Sequence, residues 1–416
     1  MMVVRQPTGK HAERARDRLR FRVLPLDLKL FLALPVLLTV GLLQGKLAGQ
    51  SGERRVATLE RDAAYPEPFS YLSGVRELSD GTVLAADPTS EVVLRLDMET
   101  GTADTLGREG AGPQEYDGPD RVFPLPGDST LLVDLGNGRL VVIDPEGTFV
   151  SWTPMATSNK IGRLRILHPT FVDAAGNIYS LAPYWQDRVP DTSAINRINR
   201  AKWEETPVAW IWHPEREWRP RTEKQLILVA YDSWAVGDDG RVAVVRANGY
   251  SVDWYFPDGQ VIRGPPNDVD VYPLRRADKE AAVEARNANT IWARTTGSAT
   301  EITSIRSTRG SSSSNRWGID DFEWPSTLPT FGPGTIVSPQ GEAWVARMMP
   351  AGEPARYDVF DESGTRLGFI ELSPGSKVIG FGTGRGEKAV AYVTHTDDVG
   401  FVWLERYRVL RTNGPA

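Results

Sequence analysis

Six side chains of chemically useful type close or flank strand-like apolar runs: Asp87, Asp134, Arg246, Arg347 and His395 at the ends of runs, and His168 just before one. Two carboxylates, two guanidinium groups and two imidazoles can bind a polar or anionic small molecule or arrange acid/base chemistry. Charges that pair with one another, or stay solvated, give the same pattern. Spacing does not separate the two readings. Nucleophilic chemistry has less to work with, because the chain has no cysteine and no G-x-S-x-G elbow. The four histidines, His11, His168, His213 and His395, lack the paired spacing of a metal site, and no EF-hand loop is present. No cofactor is expected from these motifs. Trp210 and Trp212 are two apart and share a face if their segment is a strand, so an exposed pair could stack on a sugar ring.

The elements that would position these residues recur. A strand, a polar turn ending in Gly, and a second apolar strand appear around Gly81, Asp128, Gly176, Gly240 and Gly341, and more weakly around Gly386. Glycine suits the turn because a tight hairpin that follows strand twist needs positive φ. Several copies carry a second such turn, at Gly101, Gly147, Gly259 and Gly364, so each unit has four antiparallel strands. The copies begin about 47, 48, 64, 101 and 45 residues apart, the period of a propeller blade with two insertions. The expected fold is all-β: a six-bladed β-propeller over 51–411 with a short tail, 412–416. Expected blades run from Phe69 to Leu106, Pro119 to Trp152, Leu164 to Trp212, Leu226 to Arg263, Pro329 to Leu372 and Gly375 to Leu410. The last has only three clear strands. Arg55 to Leu59 can supply the fourth and clasp the two ends of the ring, leaving no open edge.

Between the first two blades stands Gly107-Arg108-Glu109-Gly110-Ala111-Gly112-Pro113-Gln114-Glu115-Tyr116. With the Asp-Gly hairpins it resembles the G-R-x-G-x-G-P-G-E-F signature of the bacterial "6-bladed beta-propeller" family, related to NHL-repeat and TolB-like propellers. Gln114 departs from the family's Gly, and Tyr116 from its Phe. The resemblance implies the fold and export, and no reaction. The motif's expected role is structural, with Gly107, Gly110, Gly112 and Pro113 shaping the crossover and Tyr116 plugging between blades. Gluconolactonase-like propellers hold a divalent ion at the channel mouth, but no ligand set here can be matched to theirs residue by residue.

On a propeller, the second-to-third-strand and blade-to-blade connections emerge on one face, where binding loops gather. The six residues named first should ring the channel there. The largest departures from the repeat also fall there: 182–192, and 264–325 between blades 4 and 5. The latter begins with a helical pattern in which Leu274, Ala281, Ala282 and Ala285 can share a face, followed by Ser311 to Asn315, which reads as a link. A helix beside the mouth suggests a cap.

Residues 1–50 differ from the rest. Basic residues precede an apolar run over 30–43 and then small residues, the order of a secretory signal or, if uncleaved, an anchor helix. The propeller is therefore expected outside the cytoplasmic membrane, with membrane contact only through 30–43. Without these 50 residues, which hold 9 Lys+Arg and 3 Asp+Glu, the formal charge moves from −6 to −12. An acidic body repels phosphate backbones, which excludes nucleic acid. The expectation is a monomeric, exported, non-catalytic propeller that binds a protein or a small polar ligand. A metal-dependent lactonase- or lyase-like enzyme is the alternative.

Overall fold

The computed structural model describes residues 54–412 except 159–163, 183–187, 190, 215, 218–222, 289–290, 296–301 and 308–315. The expected signal segment and the Ser311 to Asn315 link lie outside the described residues, as do Trp218 and much of 182–192. No helix among the described residues is long and apolar enough to cross a membrane.

Six four-stranded antiparallel sheets form the blades of a propeller. Their inner strands are Gly74–Glu77, Pro119–Pro124, Phe171–Val172, Ser233–Val236, Ile336–Val337 and Ser376–Phe381. The turns are those the repeat implies. In blade 1 the Leu78 amide donates to Thr82 O and the Gly81 amide to Leu78 O, with Gly81 at φ 85°. Alternation along each strand sends successive side chains to opposite faces. Clusters of buried aliphatic and aromatic residues therefore lie between neighbouring blades, such as Leu131, Val133 and Leu140 of blade 2 against Val172, Ile178 and Ile198 of blade 3.

Blade 6 consists of Ser376–Phe381, Val390–Thr396, Val402–Arg411 and, outermost, Ala57–Ala64. The closing strand lies later in the chain than the expected Arg55 to Leu59. Arg55 instead forms a parallel bridge to Phe369 of blade 5. Ala57 pairs with Arg411 and Leu59 with Val409, while Val56 and Ala57 are buried among Trp344, Tyr357, Ile370 and Val409.

Two expected blade limits are corrected. Leu164–Ile166 pairs with Ala156–Ser158 in a separate hairpin, so blade 3 starts at Phe171. Leu226 is not in blade 4, because Gln225–Leu226 runs parallel to Phe322–Glu323.

Helix α1, Arg276–Ala288, follows blade 4 in the chain. Its packed face is not the expected one, since Ala281 and Ala285 are exposed whereas Asp278 and Val283 are buried. The reason is an anchor at its first turn. Asp278 accepts from the Arg275 amide at 2.7 Å and from the Ala351 amide, a loop of blade 5, at 2.6 Å. That rotates Asp278 and Val283 inward.

Candidate functional site

Four of the six residues singled out first are tied up by partners inside the protein, in their own blades, in the adjoining connections and, for Arg246, at the Trp210 carbonyl of blade 3. Asp87 is 1% exposed, and its carboxylate accepts from the amides of Ser70, Tyr71, Thr89 and Ser90. It staples the incoming crossover to the turn after the second strand. Asp134, fully buried, accepts from the Asp117 amide and pairs with Arg139 Nε at 2.7 Å. Arg246 bridges Asp232 and Asp253, each at 2.8 Å. Arg347 donates to Asp358 and to the carbonyls of Thr330 and Asp270.

These arginines belong to a device that crosses three strands. In blade 4, Asp253 of the third strand lies between Arg246 and Arg263 of the outer strand. In blade 5, Asp358 lies between Arg347 and Arg366. It also meets Arg356, and it accepts from Tyr250 Oη, whose pKa burial, followed by the Asp358 charge, pushes well up. In blade 6, Glu405 lies 3.8 Å from His395 and 2.6 Å from Arg61 of the clasp strand. A carboxylate on the third strand is thus held from both sides in three successive blades. His395 also stacks on Trp403 and keeps 38% of its side chain exposed.

The Gly107 to Tyr116 motif forms the crossover from blade 1 to blade 2. Glu115 accepts from the Gly112 amide and from Arg108, and these bonds, the Gly112 amide first, hold its carboxyl below the usual range. Gly110 stands at φ 144°, and a Cβ there would come within 2.3 Å of the Glu115 carboxylate. Tyr116 is completely buried, receives the Val93 amide and stacks on Phe149. Gln114 pairs with the backbone of Phe149 through both ends of its amide. It acts there as a main-chain unit would.

The central channel is a cavity of about 430 Å³ lined by the inner strands of all six blades. Where those strands begin, its mouth carries charged residues that the sequence did not single out. Arg121 reaches across to the Thr170 carbonyl of blade 3, and its Nε lies 3.9 Å from Asp120. Asp120 bonds His168 Nε2 at 3.1 Å, so His168 stands at this mouth and keeps 43% of its side chain exposed. Lys377 enters from blade 6 on the second residue of its inner strand and stays open to solvent, while protein atoms crowd around its ammonium group. Burial, followed by the charge of Arg121, lowers its pKa. Tyr71 lies in the same field, its pKa raised by burial and then by Asp120, with Arg121 opposing. No carboxylate among the described residues lies within ion-pair distance of Lys377. The mouth is therefore locally cationic on an acidic protein.

The opposite end is different in sign. Glu77 accepts from the Tyr392 hydroxyl and from the amide and hydroxyl of Thr383. Burial raises the pKa of Asp238 there, with Arg385 opposing.

No protein-family model matches this chain, and no match was found among curated proteins. Solved structures with a similar fold include a streptogramin B lyase, with 10% identity, TM-score 0.41, and 85% of this chain and 98% of that one covered. A gluconolactonase from Xanthomonas campestris has 12% identity and TM-score 0.36, with 86% and 99% covered. The calcium-binding protein regucalcin from Agrobacterium tumefaciens has 10% identity and TM-score 0.35, with 86% and 98% covered. Likeness at this level leaves function to be argued from this chain's own residues. Among the described residues no group of three or more His, Asp or Glu is placed to hold a metal ion.

A second cavity, of about 550 Å³, lies beside Ser233, Phe331 and Met348, between the Gln225–Leu226 segment and α1. Trp210 and Trp212 share the solvent face of the outer strand of blade 3, 56% and 42% exposed, rather than packing between blades.

Proposed function

We propose that this protein is an exported, non-catalytic binding propeller, and that the mouth bearing Arg121 and Lys377 takes a small anion such as a carboxylate or phosphate ester. The resemblance of Gly107 to Tyr116 to the bacterial six-bladed family is in keeping with export. One observation carries the ligand class: two cations converge on a concave mouth, and one of them pays an electrostatic cost for being there. An anion placed between them would relieve the repulsion that lowers the Lys377 pKa. Tyr71 and His168 offer hydrogen bonds beside it, which fixes orientation more than charge does. The Asp120–His168 pair at this mouth is one that acid–base chemistry could use, and we assign it to orienting the bound anion instead.

The test is a thermal-shift and calorimetric screen of the full chain with inorganic phosphate, citrate and gluconate at pH 7. A ligand at a hundred times its Kd stabilises by about 2.7 kcal/mol, so a binding anion raises the midpoint, and Lys377→Met and Arg121→Met each lose that rise. Affinity falls as pH climbs through the lowered pKa of Lys377, because the ammonium discharges. The ligand-free protein behaves oppositely: its charged Lys377 is disfavoured in the fold, and the midpoint gains as that group loses its proton. No shift with any anion, or shifts that survive both substitutions, would sink the proposal. Tightly bound divalent metal together with lactone turnover would replace it with the enzyme reading.

A further inference from the structure

The channel has two ends, and the cationic mouth is one of them. A single hollow of about 430 Å³ touches Arg121 and Thr170 at that mouth and Glu77, Asp238 and Thr383 at the far end. Between the ends its lining is apolar, with Val75, Val122, Phe171, Val236, Ile336 and Ile379 drawn one from each blade.

Asp238 stands in the turn after the inner strand of blade 4, open to solvent. Its main-chain carbonyl accepts from the Ala174 amide of blade 3. Its carboxylate is acted on by burial and by charge alone. Burial raises the pKa first, Arg385 of blade 6 opposes, and Asp239 and Asp173 add to the rise. Asp239 is matched by Arg241, and Arg76 of the lining by Asp128. Glu77 opens on the same hollow but is engaged by the hydroxyls of Tyr392 and Thr383. Among the described residues the carboxylate left for a ligand at this end is therefore Asp238. Its counterpart at the mouth is Lys377, on which only burial and the charge of Arg121 act.

We propose that the channel takes an elongated zwitterion, a chain with a carboxylate at one end, a primary ammonium at the other and an apolar middle. The carboxylate meets Lys377 and Arg121, the methylene chain fills the apolar waist, and the ammonium meets Asp238. This rests on the anion reading of the mouth and adds the second pole of the ligand. An ion brought to each end offsets the burial that disfavours the charged forms of Asp238 and Lys377. The length follows from the strands. Gly74 lies beside the Arg121 backbone, and Glu77 is three residues farther along its strand, about 10 Å at about 3.3 Å per residue. Lys377 to Phe381 in blade 6 is four residues, or about 13 Å. An extended methylene chain advances about 1.3 Å per bond, so about 8–10 bonds separate the two charges.

The probes are unbranched ω-amino acids of four to twelve carbons and the n-alkanoates of the same lengths, titrated calorimetrically into the full chain at neutral pH. Affinity among the amino acids peaks at about 8–10 carbons, and the peak member binds at least tenfold tighter than the alkanoate of its length. Asp238→Asn, at a turn position that Asn also suits, removes that advantage and leaves alkanoate affinity unchanged. Lys377→Met weakens both series at least tenfold. Alkanoates that bind as tightly as the amino acids, with both lost in Lys377→Met, overturn this inference and leave the anion reading standing. So does silence from both series while phosphate or citrate still gives a shift that needs Lys377. An amine advantage that survives Asp238→Asn, or affinity that climbs with length without a peak, also overturns the inference. No response to any anion overturns both readings together.

Discussion

Deleting residues 51–62 removes most of the strand that closes the ring, and the cost can be worked from what that strand covers. Val56 and Ala57 are buried. Full burial of a Val side chain is worth about 2 kcal/mol and that of an Ala under about 1. The surfaces of Val409, Tyr357 and Ile370 beneath them lose a comparable area, which brings the total to about 5 kcal/mol. Ladder hydrogen bonds, at about 1 kcal/mol net each, are offset by an ordering entropy of about 1–2 kcal/mol per residue. The ion pairs Arg55–Glu371, Arg61–Glu405 and Asp62–Arg406 engage at least one partly exposed partner each and add little. For a unit spanning Glu53–Ala416, an unfolding entropy of about 2.1 cal/mol/K per residue converts 5 kcal/mol into a fall of about 7 °C. Differential scanning calorimetry of the deletion against the parent measures it, with refolding checked by a second scan. A midpoint within a degree of the parent would show that the strand does not hold the ring closed.

Asp358→Asn leaves three arginines around a site with no charge to meet them. Since breaking a buried pair costs about 3–5 kcal/mol, the urea midpoint falls accordingly with the slope unchanged, and a loss under about 1 kcal/mol would contradict the pairing. Gly110→Ala combines positive φ with a clash against a Glu115 carboxylate pinned by Arg108 and the Gly112 amide, and costs about 2–3 kcal/mol. Adding Glu115→Ala relieves the clash and recovers part of it in equilibrium unfolding, whereas two additive losses would argue against the contact.

The repeat was legible because it rests on local chemistry. An Asp-Gly turn between two apolar strands declares itself within ten residues, as at Gly81 and Gly240, and counting three strands in the last unit pointed to the missing fourth. Where competing local signals existed, the boundaries slipped: Leu164–Ile166 has strand composition but pairs with its own upstream neighbour. The α1 face was misjudged because alanines carry little burial preference, while the buried Asp278 is held by a loop more than 70 residues later. The site was less legible still. Asp87, Asp134, Arg246 and Arg347 were found by type, yet their partners, among them Asp253 and Asp358, sit on other strands and carry no motif. Arg121, Lys377 and Tyr71 come from blades far apart in sequence, so only closure of the ring brings them to one mouth.

The carboxylate held from both sides in blades 4, 5 and 6 bears on how the molecule is made. In blades 4 and 5 the outer cation, Arg263 or Arg366, follows its carboxylate within about a dozen residues, so each unit can lock as soon as it is synthesised. In blade 6 the same post belongs to Arg61, 344 residues before Glu405. The Ala57–Ala64 strand must wait, unpaired, until Val402–Arg411 has emerged. Contacts that distant are slow to form, and a waiting edge invites pairing with another chain. Aggregation during synthesis should accordingly fall when a loose Ala57–Ala64 strand is shielded, and moving that strand to the C-terminal end by circular permutation would make closure a local event.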